Sequence, residues 1–270
     1  LAPHHPDILA IAVGNSRTRL GRCVGGGIES PASIRSDDPV ELARAASELA
    51  DGAGAVVIAS VNETAARALE TELASAPLPC YRLGRDLTIP IRHTLDDAST
   101  VGHDRLLCAI GAFEKARQAC VVVDAGTAIT VDFVDGEGVF QGGAIAPGLA
   151  MMLKSMAKRT SALPDVAFEQ VPLDRPFGKH TVEAMRLGAQ AAAVGVVHHL
   201  LGRYAEAFGA YPVVIATGGD APALFEGDEI VEHIVPDLQL LGIRAACAMV
   251  LDGDSDDDQD ESDGAPRARH

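Results

Sequence analysis

The sequence predicts an α/β fold of two related halves, near residues 1–118 and 119–251, facing each other across a cleft. Three observations carry this. The chain has 270 residues, more than one typical domain and enough for two modest ones. Twice it opens a half with an apolar strand, a tight turn containing glycine, and a return strand. Hydrophobic residues make up 47% of it and aromatics only 4%, with no Trp, so the core is built from Ala, Val, Leu and Ile as in many α/β proteins.

The elements follow in order. Ile8 to Val13 is an apolar, β-prone run, Gly14-Asn15-Ser16 turns it, and Thr18 to Val24 returns. Asp38-Pro39 supplies N-cap and first helical residue for a helix to about Ala50, with Gly52 beyond its end. Ala55 to Ser60 is a short buried strand. Asn62 to Ala76 is helical, with Leu69 and Leu73 on one face, and is ended by Pro77 and Pro79. Arg105 to Gln118 is a further helix.

The second half repeats the opening. Cys120 to Val123 is a strand, Asp124-Ala125-Gly126-Thr127 a turn, and Ile129 to Val134 the return. Asp135-Gly136 is a hairpin turn into Val139 to Ile145. Pro147-Gly148 precedes a helix to about Arg159. Residues 161–179 are Pro-rich and irregular, Thr181 to Ala207 is a long Ala-rich helix, Pro212 to Ala216 a strand, and Leu238 to Leu251 the last helix.

The formal net charge is −16, and half of the excess acid lies between Asp252 and Asp263. Such a block cannot bury apolar surface, so 252–270 reads as an acidic disordered tail. So acidic a chain repels a phosphate backbone, which argues against nucleic acid as partner. The five cysteines have no metal-ligand spacing and read as buried free thiols in a reducing compartment. No run is apolar enough to be a signal peptide or to span a bilayer, so a soluble, cytoplasmic protein is expected. His198 and His199 point to different sides of one helix, and none of the nine histidines forms a metal pair.

Several short segments carry candidate chemistry. A glycine turn between strands, as at Gly14-Asn15-Ser16-Arg17, exposes amides that hold phosphate oxygens, although any hairpin can use one. In Asp124-Ala125-Gly126-Thr127 an acid at a strand end is placed to hold a cation, and Thr127 to donate to a phosphate. Thr217-Gly218-Gly219-Asp220 closes a buried strand with two glycines that let backbone approach a nucleoside. Gly102-His103-Asp104-Arg105 stands at a helix start. Its carboxylate is either an N-cap or a proton acceptor for a substrate hydroxyl, and its Arg suits a carboxylate or phosphate. Gly142-Gly143 reads as close backbone packing or a glycine-lined site, and Lys179-His180-Thr181 as a helix start that can present a polar group.

Taken in order, these motifs resemble the type III pantothenate kinase family, over about Ile8 to Met249 and including Pro236-Asp237-Leu238 with Gly242. The resemblance implies two actin-like/ribonuclease-H-like domains with mixed sheets flanked by helices and the active site in the cleft between them. It implies phosphorylation of pantothenate at its terminal hydroxyl by ATP with Mg²⁺ and a monovalent cation, K⁺ or NH₄⁺, as the first step of coenzyme A biosynthesis, in a homodimer. Carried over by motif, Gly14, Asn15, Ser16, Arg17, Thr127, Gly218 and Gly219 bind ATP. Gly102, His103, Asp104, Arg105 and Thr181 bind substrate, Asp104 is the general base, and Asp124 holds the monovalent cation.

Two positions depart from the family pattern. Ala12 stands where the first loop carries an Asp, and Leu95 where a Tyr often precedes the Gly-x-Asp-Arg segment. Asp7 cannot replace the missing acid, because an offset of five residues along a strand puts it on the opposite face. Ala12 raises the alternative of a weakened or inactive member that acts as a ligand-binding or regulatory protein. A sugar or acetate kinase of the same fold is a third reading, which the Gly-His-Asp-Arg segment fits poorly.

Overall fold

A computed structural model describes residues 7–74, 78–172 and 175–260, with side chains through Leu251. In chain order the elements are β1 (Ile8–Val13), β2 (Arg17–Val24), β3 (Gly27–Arg35), α1 (Pro39–Leu49), β4 (Ala55–Ser60), α2 (Glu63–Leu73), β5 (Cys80–Arg82) and α3 (His103–Ala116). Then come β6 (Cys120–Ala125), β7 (Ala128–Val134), β8 (Phe140–Pro147), α4 (Leu149–Arg159), α5 (Thr181–Phe208), β9 (Val213–Thr217), α6 (Ala221–Phe225), β10 (His233–Ile234) and α7 (Leu238–Asp260).

The internal repeat extends to the whole topology. One sheet has the order β3-β2-β1-β4-β5 and the other β10-β9-β6-β7-β8. In each, the opening strand pairs antiparallel with its return strand and parallel with the strand after the first crossover. In the running order of strands Ala12 of β1 therefore corresponds to Asp124 of β6: each is the fifth residue of its strand, two before the turn glycine.

The described chain forms two compact units. The first takes in the residues up to Pro90, Gly102–Gly111 and the chain from Gln239; the second takes in Ile91–Val101 and Ala112–Leu238. The expected division at 118/119 assigned α7 to the second half. Packing places it in the first, because a Cβ on Gly242 of α7 would stand 1.9 Å from the Leu107 carbonyl oxygen of α3. Only glycine lets two helices approach so closely. The backbone of α7 also continues past the expected end at 251 as far as Asp260. The remaining ten residues assigned to an acidic tail, 261–270, lie outside the described residues.

In the first unit, Leu9, Ile11, Val13, Leu20, Val56 and Ile58 form one core with α1 and α2 through Leu42, Ala46, Ala66 and Leu69. The opposite face of β1 and β2 is small at Ala10, Ala12 and Gly21. There Gly21 lies opposite Ala10 and admits Leu240 of α7, whose Cδ1 is 3.3 Å from where a Cβ would stand. In the second unit, α5 lays Met185, Ala189, Ala193, Val197 and Leu201 across Val121, Val123, Ile129 and Val131 of the sheet.

The cysteines are free thiols, four of them buried and Cys80 half-buried. Burial pushes Cys23 and Cys120 up to about 12 and Cys247 to about 11, so they remain protonated and inert at neutral pH. Among the described residues no helix is long and apolar enough to cross a membrane.

Candidate active site

Ligands of α/β sheets bind beyond the carboxyl ends of the strands, and both glycine turns lie there. In the first unit the Gly14 N–H donates to the Arg17 carbonyl at 3.1 Å, closing a turn that leaves Asn15, Ser16 and Arg17 exposed. A Cβ at 14 would meet that carbonyl oxygen at 2.7 Å, so the turn requires glycine. Buried Ser36 steadies it: its N–H donates to the Ser16 carbonyl at 3.2 Å, and its hydroxyl meets that of Thr18 at 3.1 Å.

The segment Gly102–Arg105 lies close to this turn. The Val61 N–H donates to the Val13 carbonyl at 3.1 Å, and Val61 Cγ1 is 3.7 Å from the Cβ position of Gly102. α3 begins at His103, whose imidazole lies against Gly84, a residue with φ +85°. Asp104 sits in the first helical turn and not at the N-cap. Its Oδ1 accepts from the Arg105 N–H at 2.8 Å, the one hydrogen bond of this carboxylate among the described residues. A Cβ on Gly102 would fall 2.4 Å from that Oδ1, so glycine here makes room for the carboxylate.

Ala12 is buried within β1, at 2% exposure, opposite Arg19 of β2 and beside Ala59 of β4. Asp7 does not substitute for an acid there. It forms a bidentate pair with Arg22, at 3.0 and 2.9 Å, and the Arg22 guanidinium holds its carboxyl below the usual range.

In the second unit Asp124 is paired across the sheet with Thr130 on one side and Thr217 on the other. Its Oδ1 lies 2.5 Å from the Cβ position of Gly218, whose φ of +93° also requires glycine. Thr127 is exposed in the adjoining turn. Gly148, which caps α4, seats directly on that turn, its N–H donating to the Thr127 carbonyl at 3.2 Å. The structure therefore gathers Asp124, Thr127, Gly218 and Gly219 around one strand end. Gly143 proves to be close packing: a Cβ there would meet the Val131 carbonyl oxygen at 2.2 Å and buried Asp132 at 2.3 Å. Leu95 packs beside Gly142, its Cδ2 3.3 Å from the Cβ position.

Thr181 is the exposed first residue of α5. Glu183, which the motifs did not single out, holds the approach to it. Its carboxylate accepts from the Lys179 N–H and from Arg175 Nη1, both at 2.7 Å, and its own N–H donates to His180 Nδ1 at 3.3 Å. The Lys179 amide first and then Arg175 hold its carboxyl below the usual range. The sequence signal was there: a Glu three residues after the N-cap is the spacing of a capping box. Asp220 ends the motif that begins at Thr217, and its half-buried carboxyl is pushed up by burial.

A family model described as type III pantothenate kinase matches residues 8–203. Relatives bearing that name include those of Akkermansia muciniphila, 36% identical over 197 residues (73% of this chain, 79% of that protein), and Rubrobacter xylanophilus, 31% over 260 residues (90% and 97%). A third, from Mycolicibacterium gilvum, is 35% identical over 259 residues, 88% of this chain and 93% of its own. Among solved structures, component A of the (R)-2-hydroxyglutaryl-CoA dehydratase of Acidaminococcus fermentans is similar in fold. Its TM-score is 0.52 at 14% identity, over 93% of this chain and 99% of that one.

Duplicated five-stranded sheets with a glycine turn after each opening strand define the actin-like ATPase fold, and the family match makes the chain a kinase. Within that class the chain belongs to the type III pantothenate kinase family.

Proposed function

We propose that the protein transfers the γ-phosphoryl group of ATP to the terminal hydroxyl of pantothenate, giving 4′-phosphopantothenate and ADP, the first step of coenzyme A biosynthesis. The observation that carries this is Asp104: a carboxylate in the first turn of α3, with one oxygen fixed by the Arg105 N–H and the other available. That is the requirement for a general base which must both orient and accept.

In the reaction, the substrate oxygen forms a bond to the γ-phosphorus as its proton passes to Asp104. The bond from that phosphorus to the bridging oxygen breaks, and ADP leaves with the electron pair. Arg105 suits the pantothenate carboxylate, and Thr181, held by the Glu183 clamp, is a second substrate contact. Amides of the turns at 14–17 and 126–127 favour the polyphosphate by offering donors where charge accumulates.

No group of three or more His, Cys, Asp or Glu side chains comes together among the described residues. Mg²⁺ is ordinarily held by one or two carboxylates together with the substrate phosphates and waters, and bound with ATP it would offset phosphate charge. Asp124, between Thr130 and Thr217 and close to the Ala125 carbonyl, offers the hard oxygen ligands that K⁺ or NH₄⁺ prefers. A homodimer in the cytoplasm completes the reading.

A non-catalytic relative rests on Ala12 alone, and the curated relatives, named as kinases over up to 90% of this chain, do not favour it. The test is an ADP-release assay with mass detection of phosphopantothenate. ADP should appear only when pantothenate, Mg²⁺ and K⁺ are all present; no product at high enzyme concentration overturns the proposal.

A further inference from the structure

Asp220 ends the Thr217-Gly218-Gly219-Asp220 turn and occupies the N-cap position of α6. An aspartate there ordinarily accepts from the amide of the second or third helical residue. This one makes no such bond. Its backbone is helical, with φ −92° and ψ −9°, where a capping residue is extended. Pro222, the second helical residue, also has no N–H to give.

Among the described residues the carboxylate has no hydrogen bond and no ion pair, although it is half-buried. An unpaired carboxylate withdrawn from water costs stability, and such a cost calls for an explanation. Its backbone, by contrast, is firmly held. The Asp220 N–H donates to the Ala125 carbonyl at 2.9 Å, and the Asp220 carbonyl accepts from the Leu224 N–H at 3.1 Å. Space beside it is open, since a Cβ on Gly219 would meet nothing within 4 Å.

We propose that the Asp220 carboxylate accepts hydrogen bonds from the vicinal 2′- and 3′-hydroxyls of the nucleotide ribose, and so selects ribonucleotide over deoxyribonucleotide donors. The inference rests on the reading that ATP is the phosphoryl donor. An ionised carboxylate only accepts, through two adjacent oxygens, and a vicinal diol offers two adjacent donors. Position decides for the sugar over the base. Asp220 is bonded through its backbone to Ala125, two residues before Thr127, the phosphate contact. In ATP the ribose is the group next to the phosphates, and the base lies a step further out.

The experiment is calorimetric titration of ATP, 2′-deoxyATP and GTP onto the parent and Asp220→Ala, with thermal unfolding of both in the absence of ligand. The parent should bind ATP at least about tenfold tighter than 2′-deoxyATP, as loss of a hydrogen bond to a charged group predicts. Asp220→Ala, which has no side-chain acceptor, should bind the two within about twofold and unfold no earlier than the parent. Equal binding by the parent, while it still turns over ATP, overturns the ribose contact and leaves the kinase reading intact. So does a ribose preference retained by the variant, or a variant that loses only its preference for ATP over GTP. A ligand-free Tm lower by more than about 3 °C marks a structural carboxylate and overturns it as well. A parent that binds no nucleotide overturns both readings.

Discussion

The carboxylate of Asp124 fills the space that a side chain at Gly218 would need: a Cβ at 218 would lie 2.5 Å from Asp124 Oδ1 and 2.3 Å from the Ala125 carbonyl oxygen. The turn after β9 is thereby fitted to the turn after β6. Gly218→Ala must adopt a left-handed backbone and displace one of these groups, a destabilisation of about 1–3 kcal/mol. Thermal unfolding should show a Tm lower by several degrees, and the ATP-induced rise in Tm should shrink.

Asp104→Asn keeps the shape of the side chain and its oxygen acceptor for the Arg105 amide, but cannot take a proton. We expect kcat to fall by about 10²–10⁴-fold, the usual contribution of a positioned base. The KM for ATP and the ligand-free Tm should stay near those of the parent. A fall of less than fivefold would remove Asp104 from the base role.

Glu183 carries the acid-side pH dependence of the Thr181 approach. Its carboxyl is held below the ordinary 4.5 by the Lys179 amide and by Arg175. The ionised form is therefore favoured in the folded state. The stability it contributes is complete above about pH 4.5 and is lost as pH falls through the lowered value. Glu183→Gln should flatten the acid side of a plot of Tm against pH. It should also raise the KM for pantothenate several-fold, with a smaller change in kcat, because it loosens the segment that presents Thr181.

Ala12→Asp tests the departure in the first turn. Position 12 is buried at 2% exposure, and a carboxylate there is desolvated, with Arg19 opposite to offset part of the cost. We expect a Tm lower by a few degrees and a rate within about tenfold of the parent. A rise in kcat of a hundredfold or more, the scale on which one preorganised electrostatic group acts, would reinstate the non-catalytic reading of the parent.

Much of the frame was legible because its signals are local. Ile8–Val13 reads as a strand because every residue in it is apolar, and it is buried throughout. Asp38 and Asn62 mark helix starts through capping bonds that depend on neighbours three residues away. β3 was not read: its side chains are largely exposed and Pro31 interrupts it, so no apolar alternation marks it. The short β5 and β10 exist by parallel pairing with β4 and β9, a property of the fold and not of three or two residues. The candidate site divides in the same way. Asp104, Asp124 and the glycines stand in short motifs, whereas the part of Asp220 turns on a bond it fails to make.

The position of α7 bears on the order in which the molecule matures. The sheet of the first unit is complete in sequence by Arg82, but Leu240 and Gly242, which cover the side of it at Gly21 and α3, are made only after the second unit's strands. At a synthesis rate of about 5–20 residues per second, roughly ten to thirty seconds separate the two. The second unit has all its strands by residue 234, so the half of the chain made later can close earlier. The nascent first unit waits with an uncovered face, and a chain that stops short of α7 would keep a sound second unit beside an unfinished first.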